Sequence, residues 1–477
     1  MHDIHKISIL GLGKLGLPMA ACFASKGFDV IGTDRDATRV AAVADGIAPI
    51  HEPGLQAMMT AHADRLTATL DAADAVRRTQ ATFIVVPTPS TGDGTFTCRY
   101  VLEACRSVGA ALRGKDQPHL VVITSTVMPG DTDGPIRATL EEAGGRRCGD
   151  GLGLCYSPEF IALGSVIRDF LNPDMLLIGQ CDDDAGAALE AIMRRTCDTD
   201  PPVARMSAVN AELAKLAVNS FVTTKITFAN TLARLCERLD GANVDVVTAA
   251  LGLDTRIGRK YLKGATAFGG PCFPRDSVAL ASLGRRLGVK APLAEATDTA
   301  NRGEVRRLAD LVQQHLPDDG VAGILGLAYK PDTDVCEQAA GVLLAQALAE
   351  QGVSVVAYDP AAVDQARAAL GDRVTFAATA DACVRLADVV VITTPWPSFN
   401  QIAPDALARG PASPRRTLID CWRMLDHAAV SRLATYVPLG VGGRQGSGVR
   451  SQESGAGVRS QESGVRGQGS VVSAARP

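Results

Sequence analysis

Short apolar runs alternate with helix-like spacing in two separate stretches of the chain. The runs cover residues 6–10, 29–34, 81–86, 120–124 and 152–156 in the first stretch, and 320–325, 353–359, 387–393 and 417–420 in the second. Continuous apolar runs of this length, separated by turn residues and helical segments, are typical of buried parallel strands. The pattern predicts an α/β fold with two doubly wound units.

A long helical pattern separates the two units. Helical apolar spacing runs over residues 208–239 and again over residues 244–251, so the middle of the chain is predicted to be all-α. We therefore divide the chain into an N-terminal domain (1–205), a central helical domain (206–302) and a C-terminal α/β domain (303–437). A long helix between two α/β units is typical of a dimer interface, which predicts a homodimer or a multiple of dimers.

The last segment, residues 438–477, has a different composition. It is rich in Gly, Ser, Gln, Val and Arg, and the octapeptide GVRSQESG occurs at 448–455 and again at 457–464. Such a sequence cannot fill a core, so the tail is predicted to be disordered and is assigned no function.

Composition and charge limit the kinds of partner and compartment that we expect. The net charge of -4 gives no electrostatic case for binding nucleic acid, and no run of 18 apolar residues is free of charges or turn signals, which argues against a membrane span. The first residues lack a signal-peptide pattern, and the twelve cysteines are scattered without C-x-x-C or zinc-like spacing. We expect a cytoplasmic protein without a metal site.

The first apolar run leads into a glycine-rich turn. Gly11, Gly13 and Gly16 spell G-x-G-x-x-G between a predicted strand and a predicted helix, and the next predicted strand ends at Asp34. This is the Rossmann arrangement that binds a dinucleotide. An acid at this position favours NAD, because it would repel the 2′-phosphate of NADP, although Arg35 stands beside it. The sequence predicts NAD as the cofactor.

A second candidate for chemistry is the segment FGGPCFPRD, which places Cys272 in a Gly/Pro-rich turn. Arg275 is close enough in sequence to favour the thiolate, and Asp276 follows it. Lys215 and Asn219 stand four residues apart on one face of the predicted long helix. A thiol, an amine, an amide and a carboxylate suit covalent carbonyl chemistry, whereas the alternative is a structural cysteine in a turn.

Other candidates follow the ends of predicted strands. The loops at 87–89, 125–130 and 157–160 should border the cofactor, because ligands of open parallel sheets lie beyond the carboxyl ends of the strands. Glu159 lies in one of these loops, where a plain surface acid is the alternative. The second α/β unit lacks the glycine fingerprint, so we expect it to hold a different nucleotide, with its pyrophosphate near Lys330.

The chain resembles the UDP-glucose/GDP-mannose dehydrogenase family from about residue 5 to residue 430. The family's fingerprint matches residues 11–18, and its later signature matches residues 326–333. Shorter matches are E-P-G-L (52–55), S-T-V (125–127), P-E-F (158–160), K-L-A-x-N (215–219), R-I-G (256–258) and F-G-G-x-C-F-P-K-D (268–276, with Arg275 for Lys).

The resemblance implies an NAD-dependent, four-electron oxidation of the C6 alcohol of a nucleotide sugar, UDP-glucose or a UDP-hexosamine, to a uronic acid. It implies that Cys272 is the nucleophile, that Lys215 and Asn219 hold the oxyanion, and that Asp276 and Glu159 manage water and protons. Thr126 completes the implied catalytic set. The implied cofactor contacts are Gly11, Gly13, Leu15, Gly16, Asp34, Arg39, Thr88, Thr126 and Arg275. The implied substrate contacts are Phe160, Lys215, Tyr261, Lys263, Gly269, Lys330 and Arg256, the last in the neighbouring subunit's site.

The chain departs from the family pattern at three places that we expect to lie in substrate or cofactor contacts. Cys336 stands near the usual Arg of R-E-S, Leu163 stands where an acid is common, and Trp422 interrupts D-G-R. Two alternatives remain: a two-electron β-hydroxyacid-type dehydrogenase, which has no use for Cys272, and a non-catalytic nucleotide-sugar or redox sensor.

Overall fold

The computed structural model describes residues 4–410 and 413–443. Within these residues the first sheet has eight strands, in the order β3-β2-β1-β4-β5-β6-β7-β8. They are β1 (Lys6–Leu10), β2 (Asp29–Thr33), β3 (Leu66–Thr69), β4 (Ala81–Ile84), β5 (His119–Ile123), β6 (Leu152–Tyr156), β7 (Leu176–Gln180) and β8 (Val203–Ser207). The helices of this domain are α1 (Gly16–Ser25), α2 (Ala37–Ala44), α3 (Leu55–Ala61), α4 (Ala72–Arg78), α5 (Arg99–Leu112), α6 (Arg137–Gly144), α7 (Val166–Leu171) and α8 (Asp183–Thr196).

The apolar strands are explained by a core on each face of this sheet. In β5, Leu120 and Val122 belong to one buried cluster, while Val121 and Ile123 belong to the other. Successive side chains of a strand point to opposite faces, so a strand covered on both sides is apolar at every position. This is why these strands show runs rather than alternation.

Four helices follow the first sheet: α9 (Ala208–Cys236), α10 (Val244–Leu251), α11 (Phe273–Arg286) and α12 (Pro292–His315). The prediction of an all-α middle region is confirmed, with α9 ending three residues before the predicted bound. The predicted boundary at residue 302 lies inside α12, whose second half contributes Leu308 and Val312 to the core of the C-terminal domain. The central domain and the C-terminal domain are thus joined by an unbroken helix.

The second sheet, in the order β11-β10-β9-β12-β13-β14, repeats the strand order of the first six strands of the first sheet. Its strands are β9 (Val321–Leu325), β10 (Ser354–Tyr358), β11 (Thr375–Phe376), β12 (Val389–Ile392), β13 (Thr417–Asp420) and β14 (Thr435–Pro438). Its helices are α13 (Ala340–Glu350), α14 (Val363–Leu370), α15 (Ala380–Leu386), α16 (Pro404–Leu407) and α17 (His427–Leu433). The prediction of two doubly wound domains joined by helices is confirmed.

Each predicted strand begins and ends within two residues of an observed strand. The prediction missed β3, β7, β8, β11 and β14. β7 is also antiparallel to β6, pairing only at Cys155–Gln180 and Tyr156–Gly179, so the first sheet is mixed rather than wholly parallel. Most of the missed strands lie at or near sheet edges, where fewer buried apolar residues mark a strand.

The described residues extend as far as residue 443, into the predicted tail, and they have a defined structure there. Leu439 is buried, and the Gly440 amide donates to Glu237 while its carbonyl accepts from the Val244 amide. Residues 444–477, including both copies of the octapeptide, lie outside the described residues. No helix among the described residues is long and apolar enough to span a membrane.

Candidate active site

A cleft of about 1570 Å³ lies between the N-terminal domain and the central helices. Pockets for single small ligands typically measure roughly 300–1,000 Å³, so this cleft has room for a dinucleotide and a second ligand. Most of the predicted site residues line it: Gly11, Gly13, Leu15, Gly16, Asp34, Arg39, Thr88, Thr126, Glu159, Phe160, Lys215, Asn219, Tyr261, Cys272 and Arg275. The predicted residues outside its lining are Arg256, Lys263, Gly269, Asp276 and Lys330.

The glycine turn at one end of the cleft fits a dinucleotide. A Cβ at Gly11 would lie 2.1 Å from the Val85 carbonyl oxygen, and one at Gly16 would lie 1.9 Å from the Gly11 carbonyl oxygen. A Cβ at Gly13 would meet no atom within 4 Å, because that Cα faces open space. Two glycines thus allow the tight turn, and the third leaves backbone open to a pyrophosphate at the start of α1.

Asp34 lies at the end of β2, where the ribose of a bound dinucleotide would be. Its carboxylate accepts the Leu12 amide at 2.8 Å and pairs with Arg39 at 3.0 Å. Burial would raise the pKa of this carboxyl, but backbone amides of Asp36 and Leu12 and the Arg39 guanidinium together lower it. Asp34 therefore stays ionised and also holds the glycine turn.

Asp34→Ala is expected to raise the KM for NAD about tenfold to hundredfold, the usual range for losing hydrogen bonds to a charged group. Preference for NAD over NADP should narrow, because a repulsive charge is lost while Arg39 is released. Steady-state kinetics with both cofactors measure this. Asp29→Ala, at the other end of β2 and paired with Arg65, is the control. Equal turnover of the unaltered protein with NAD and NADP would contradict the assignment.

Cys272 immediately precedes α11, and its side chain is exposed toward the cleft. Burial by the surrounding cleft wall raises the pKa of the thiol, and the cations of Lys215 and Arg275 only partly oppose this. Arg275 thus acts on the thiol in the expected direction, but desolvation has the larger effect, so the pKa lies above its ordinary value.

Lys215 and Glu159 are joined through the backbone. The Lys215 ammonium donates to the Glu159 carbonyl oxygen at 2.7 Å and lies 4.6 Å from the centre of the Phe160 ring. Burial raises the pKa of the Glu159 carboxyl to about 7, and the charge of Lys215 opposes the rise. A carboxyl with this pKa exchanges protons readily near neutral pH.

Asn219 and Asp276 are in direct contact. The Asn219 amide donates to the Asp276 carboxylate at 2.6 Å, and Asp276 is buried behind the cleft lining. Arg275 lies 3.4 Å from the same carboxylate and donates to the Thr88 carbonyl at 3.0 Å. Thr88 in turn donates its hydroxyl to the Thr126 carbonyl at 2.7 Å. A polar chain thus links the Cys272 loop to the loops that follow β4 and β5.

The remaining predicted substrate contacts lie elsewhere. Arg256 is 87% exposed and forms a close ion pair with Asp254, and Lys263 pairs with Asp245 at 3.1 Å. A Cβ at Gly269 would lie 2.3 Å from the Gln338 carbonyl oxygen, so this glycine allows the Cys272 loop to pack on the C-terminal domain. Within one protomer these three residues do not meet Cys272 across the cleft.

Lys330 lies behind the cleft, on the C-terminal domain. Burial lowers the pKa of its ammonium, and the carboxylates of Asp169, Glu52 and Asp332 oppose that shift. Asp169 also lines the cleft, so Lys330 is only one side chain away from it.

The three departures from the family pattern are not in the cleft lining, and their contact with substrate or cofactor stays a prediction. Cys336 is buried with its sulfur 3.6 Å from the Ala362 carbonyl oxygen, and the Trp422 indole donates to the Thr393 carbonyl at 2.8 Å. Leu163 lies in the loop after Phe160. Two of the three positions therefore serve packing within the C-terminal domain.

The C-terminal domain has its own acid at the end of its second strand, Asp359. This carboxylate is buried and accepts the Leu327 and Ala328 amides and the Trp396 indole N–H. Its other oxygen accepts the Ala361 and Ala362 amides, so Asp359 fixes the loops that follow β9 and β10.

Several charged residues in the cleft were not predicted from the sequence. Lys14, inside the glycine turn, pairs with Asp334 of the C-terminal domain at 2.9 Å. Lys260 pairs with Asp174 at 2.7 Å, and Lys225 donates to the Ile257 carbonyl at 3.0 Å. Lys14 lies within the fingerprint itself, but its partner is 320 residues away, so no local signal identifies the contact.

The cleft combines the glycine turn, Asp34 at the end of β2 and the thiol of Cys272. This combination defines a dinucleotide-dependent oxidoreductase. The NAD-binding, central and UDP-binding domains of the UDP-glucose/GDP-mannose dehydrogenase family match residues 5–197, 209–303 and 323–427. The chain belongs to this family of NAD-dependent nucleotide-sugar 6-dehydrogenases, as the resemblance predicted.

Individual relatives include enzymes named for UDP-glucose and enzymes named for GDP-mannose. The chain is 39% identical to a UDP-glucose 6-dehydrogenase of Haloferax volcanii over 83% of this chain and 92% of that one. It is 34% identical to a GDP-mannose 6-dehydrogenase of Pseudomonas aeruginosa over 74% of this chain and 81% of that one. A solved UDP-glucose dehydrogenase from Pyrobaculum islandicum has a TM-score of 0.82 at 36% identity, covering 91% of this chain and 97% of that one.

Proposed function

We propose that this protein oxidises the C6 alcohol of UDP-glucose, or of a related UDP-hexosamine, to the uronic acid through a covalent adduct on Cys272. The observation that carries the proposal is the placement of Cys272 at the cleft wall, with Lys215 and Asn219 lining the same cleft. A two-electron dehydrogenase needs no thiol at this place.

Cys272 acts on the aldehyde produced by the first oxidation. When bound, NAD accepts the hydride that the substrate carbon loses in each of two oxidations. The Cys272 sulfur adds to the aldehyde carbon, forming a C–S bond and leaving negative charge on oxygen. Lys215 and Asn219 offer a cation and an amide donor to that oxygen. The second oxidation converts this thiohemiacetal to a thioester.

Hydrolysis then releases Cys272. Water adds to the thioester carbon, the C–S bond breaks, the thiolate leaves and a carboxylic acid forms. Glu159, whose pKa is raised to about 7 by burial, accepts protons from substrate oxygen or water. Asp276 orients the Asn219 amide through their 2.6 Å hydrogen bond and keeps it aimed at the cleft.

The choice of sugar is supported by relatives rather than by geometry. The Haloferax volcanii protein, named for UDP-glucose, is 39% identical to this chain, against 34% for the GDP-mannose enzyme of Pseudomonas aeruginosa. Among solved structures, the UDP-glucose dehydrogenase of Pyrobaculum islandicum is 36% identical, against 29% for the GDP-mannose dehydrogenase. UDP-glucose is therefore the first substrate to test.

The test is a screen of UDP-glucose, UDP-N-acetylhexosamines and GDP-mannose for NADH formation, with mass spectrometry of the product. We expect two NADH per sugar and a uronic acid from a UDP-sugar. One NADH per sugar with an aldehyde or ketone product would refute the covalent four-electron route, and GDP-mannose as the best substrate would refute the choice of sugar.

We also propose that the protein works as a homodimer. Apolar side chains of α9 are exposed in one protomer, among them Phe228, Leu235 and, at the cleft, Phe221 (67% exposed). Exposed apolar stripes of this kind favour burial against a partner. Arg256, which does not line its own cleft, would then contact sugar in the neighbouring subunit's site.

Mixing inactive Arg256→Ala and Cys272→Ala chains is expected to restore part of the activity. A mixed dimer would hold one intact site and one site lacking both residues. If equal amounts of the two chains pair at random, about half of the dimers are mixed, so about a quarter of all sites are intact. The chains are denatured, mixed and refolded, and differently tagged subunits report mixed dimers. Mixed dimers as inactive as their parents would contradict the shared site.

A further inference from the structure

The E-P-G-L segment between α2 and α3 contains a buried acid that the reaction does not use. Glu52 is 7% exposed and does not line the cleft. One carboxylate oxygen accepts the Gly164 amide at 2.8 Å, and the other accepts the Val166 amide at 2.7 Å. Among the described residues, no ion pair to Glu52 is formed, so two backbone amides hold this charge.

The segment that Glu52 binds, loop 161–166, continues directly from two site residues. Glu159 and Phe160 precede it, and Ile161 and Ala162 line the cleft beside them. The Ala162 amide donates to Asp169, which also lines the cleft. Moving loop 161–166 would therefore move the backbone that carries Glu159 and Phe160.

The other side of the loop is pressed against the C-terminal domain. Gly164 has φ +85°, and a Cβ there would lie 2.2 Å from the Asp332 carbonyl oxygen. Asp332 is two residues from Lys330, and Glu52 is one of the carboxylates that act on the Lys330 ammonium. Loop 161–166 thus lies between Glu52 on the N-terminal domain and the segment of the C-terminal domain around Lys330.

The chemistry explains why a carboxylate stands at this position. Two amide N–H groups that point at one side chain need two acceptor oxygens, and a carboxylate supplies both. A glutamine of the same length supplies one oxygen and sets an NH2 group against the second amide. A buried amide that loses its acceptor costs the full desolvation of that group, so the loop would shift to find another partner.

We infer that Glu52 is a positioning residue for the oxidation: it fixes loop 161–166, and through the loop it sets Glu159 and Phe160 against Lys215 and the C-terminal domain. Glu52 does not line the cleft in which cofactor and sugar would bind. The kinetic consequence of this inference rests on the proposed function. The binding of loop 161–166 by Glu52, which we call the clamp, does not depend on that function.

Glu52→Gln is expected to lower kcat/KM for the nucleotide sugar about tenfold to hundredfold, the usual effect of losing a hydrogen bond to a charged group, and to leave the Kd for NAD unchanged. Amide hydrogen exchange at residues 162–168 of the free protein should become faster by a similar factor. Glu52→Asp, which keeps two oxygens on a shorter side chain, should restore part of the lost kcat/KM.

Gly164→Ala tests the same loop from its other side and carries the test if Glu52→Gln does not fold. Gly164→Ala should also lower kcat/KM, speed up exchange at 162–168 and leave the Kd for NAD unchanged. A Cβ at a positive φ and against Asp332 displaces the loop. Asp388→Asn is the matched control, because Asp388 accepts the Val321 amide at 2.8 Å at a distant place in the second sheet. It should leave kcat/KM and exchange at 162–168 as they are.

The outcomes separate the two proposals. Unchanged exchange at 162–168 in Glu52→Gln would overturn the clamp, and faster exchange with unchanged kcat/KM would overturn its role in positioning. An equal rise in the Kd for NAD would overturn it too, by showing a general loss of structure. If the unaltered protein oxidises no nucleotide sugar, the proposed function fails, while the exchange experiment still decides the clamp.

Discussion

Replacing Cys272 by serine is expected to reduce uronic acid formation by on the order of 10³-fold or more, because removal of an enzymatic nucleophile has effects of this size and larger. Serine keeps a hydroxyl of similar size but is a far weaker nucleophile and a poorer leaving group. The first oxidation does not need the sulfur, so binding of NAD and substrate should persist, with slow formation of at most one NADH per sugar.

The measurement is product analysis by mass spectrometry beside NADH formation, with Cys197→Ser as the control. Cys197 is also a partly exposed thiol, but it follows α8 and does not line the cleft. The control should form acid at the rate of the unaltered protein. Acid formation at that rate by Cys272→Ser would mean that the thiol is structural and that the covalent route is wrong.

Lys215→Met is expected to lower kcat for acid formation by about 10²–10³-fold, as loss of one oxyanion donor does elsewhere. Methionine keeps the length and apolar body of the side chain, so packing against Phe160 should survive. The loss should fall mainly on kcat, because the charge develops on oxygen only after the aldehyde reacts. Lys290→Met, an exposed lysine in the connection to α12, is the control.

The same variant should change the titration of Cys272. Burial raises the pKa of this thiol and Lys215 opposes the rise, so loss of the lysine charge should move the pKa further up. The thiol reacts as the thiolate, so alkylation by iodoacetamide should speed up with pH and need a higher pH in Lys215→Met. An alkylation profile that is the same in both proteins would show that Lys215 does not act on the sulfur.

The Cys272→Ser and Lys215→Met variants change residues that were already predicted from the sequence. Cys272 stood out because Gly, Pro and charged residues surround it, and Lys215 and Asn219 because four residues separate them on a helix. Local spacing determines such relations, so they are visible without a structure. The relation between Asn219 and Asp276 is different, since their 2.6 Å contact joins α9 to α11 across 57 residues.

The sequence did not show the size of one effect. Arg275 is three residues from Cys272 and lowers the pKa of the thiol, but burial raises that pKa by more. Whether a nearby cation or desolvation controls a pKa depends on how much protein surrounds the sulfur. That quantity belongs to the folded cleft and not to spacing along the chain.

By itself, the sequence determined the two α/β domains, the helical middle region, the dinucleotide turn with Asp34, and the family. These follow from local signals, because apolar runs, helical spacing and glycine positions act within a few residues of one another. Only the tertiary structure decided that Lys14 pairs with Asp334, that Arg256 lies outside its own cleft, and that Glu52 holds a loop more than a hundred residues away. Such contacts form only when the packing of strands and helices brings distant parts of the chain together. Residue spacing within a short stretch of sequence therefore does not predict them.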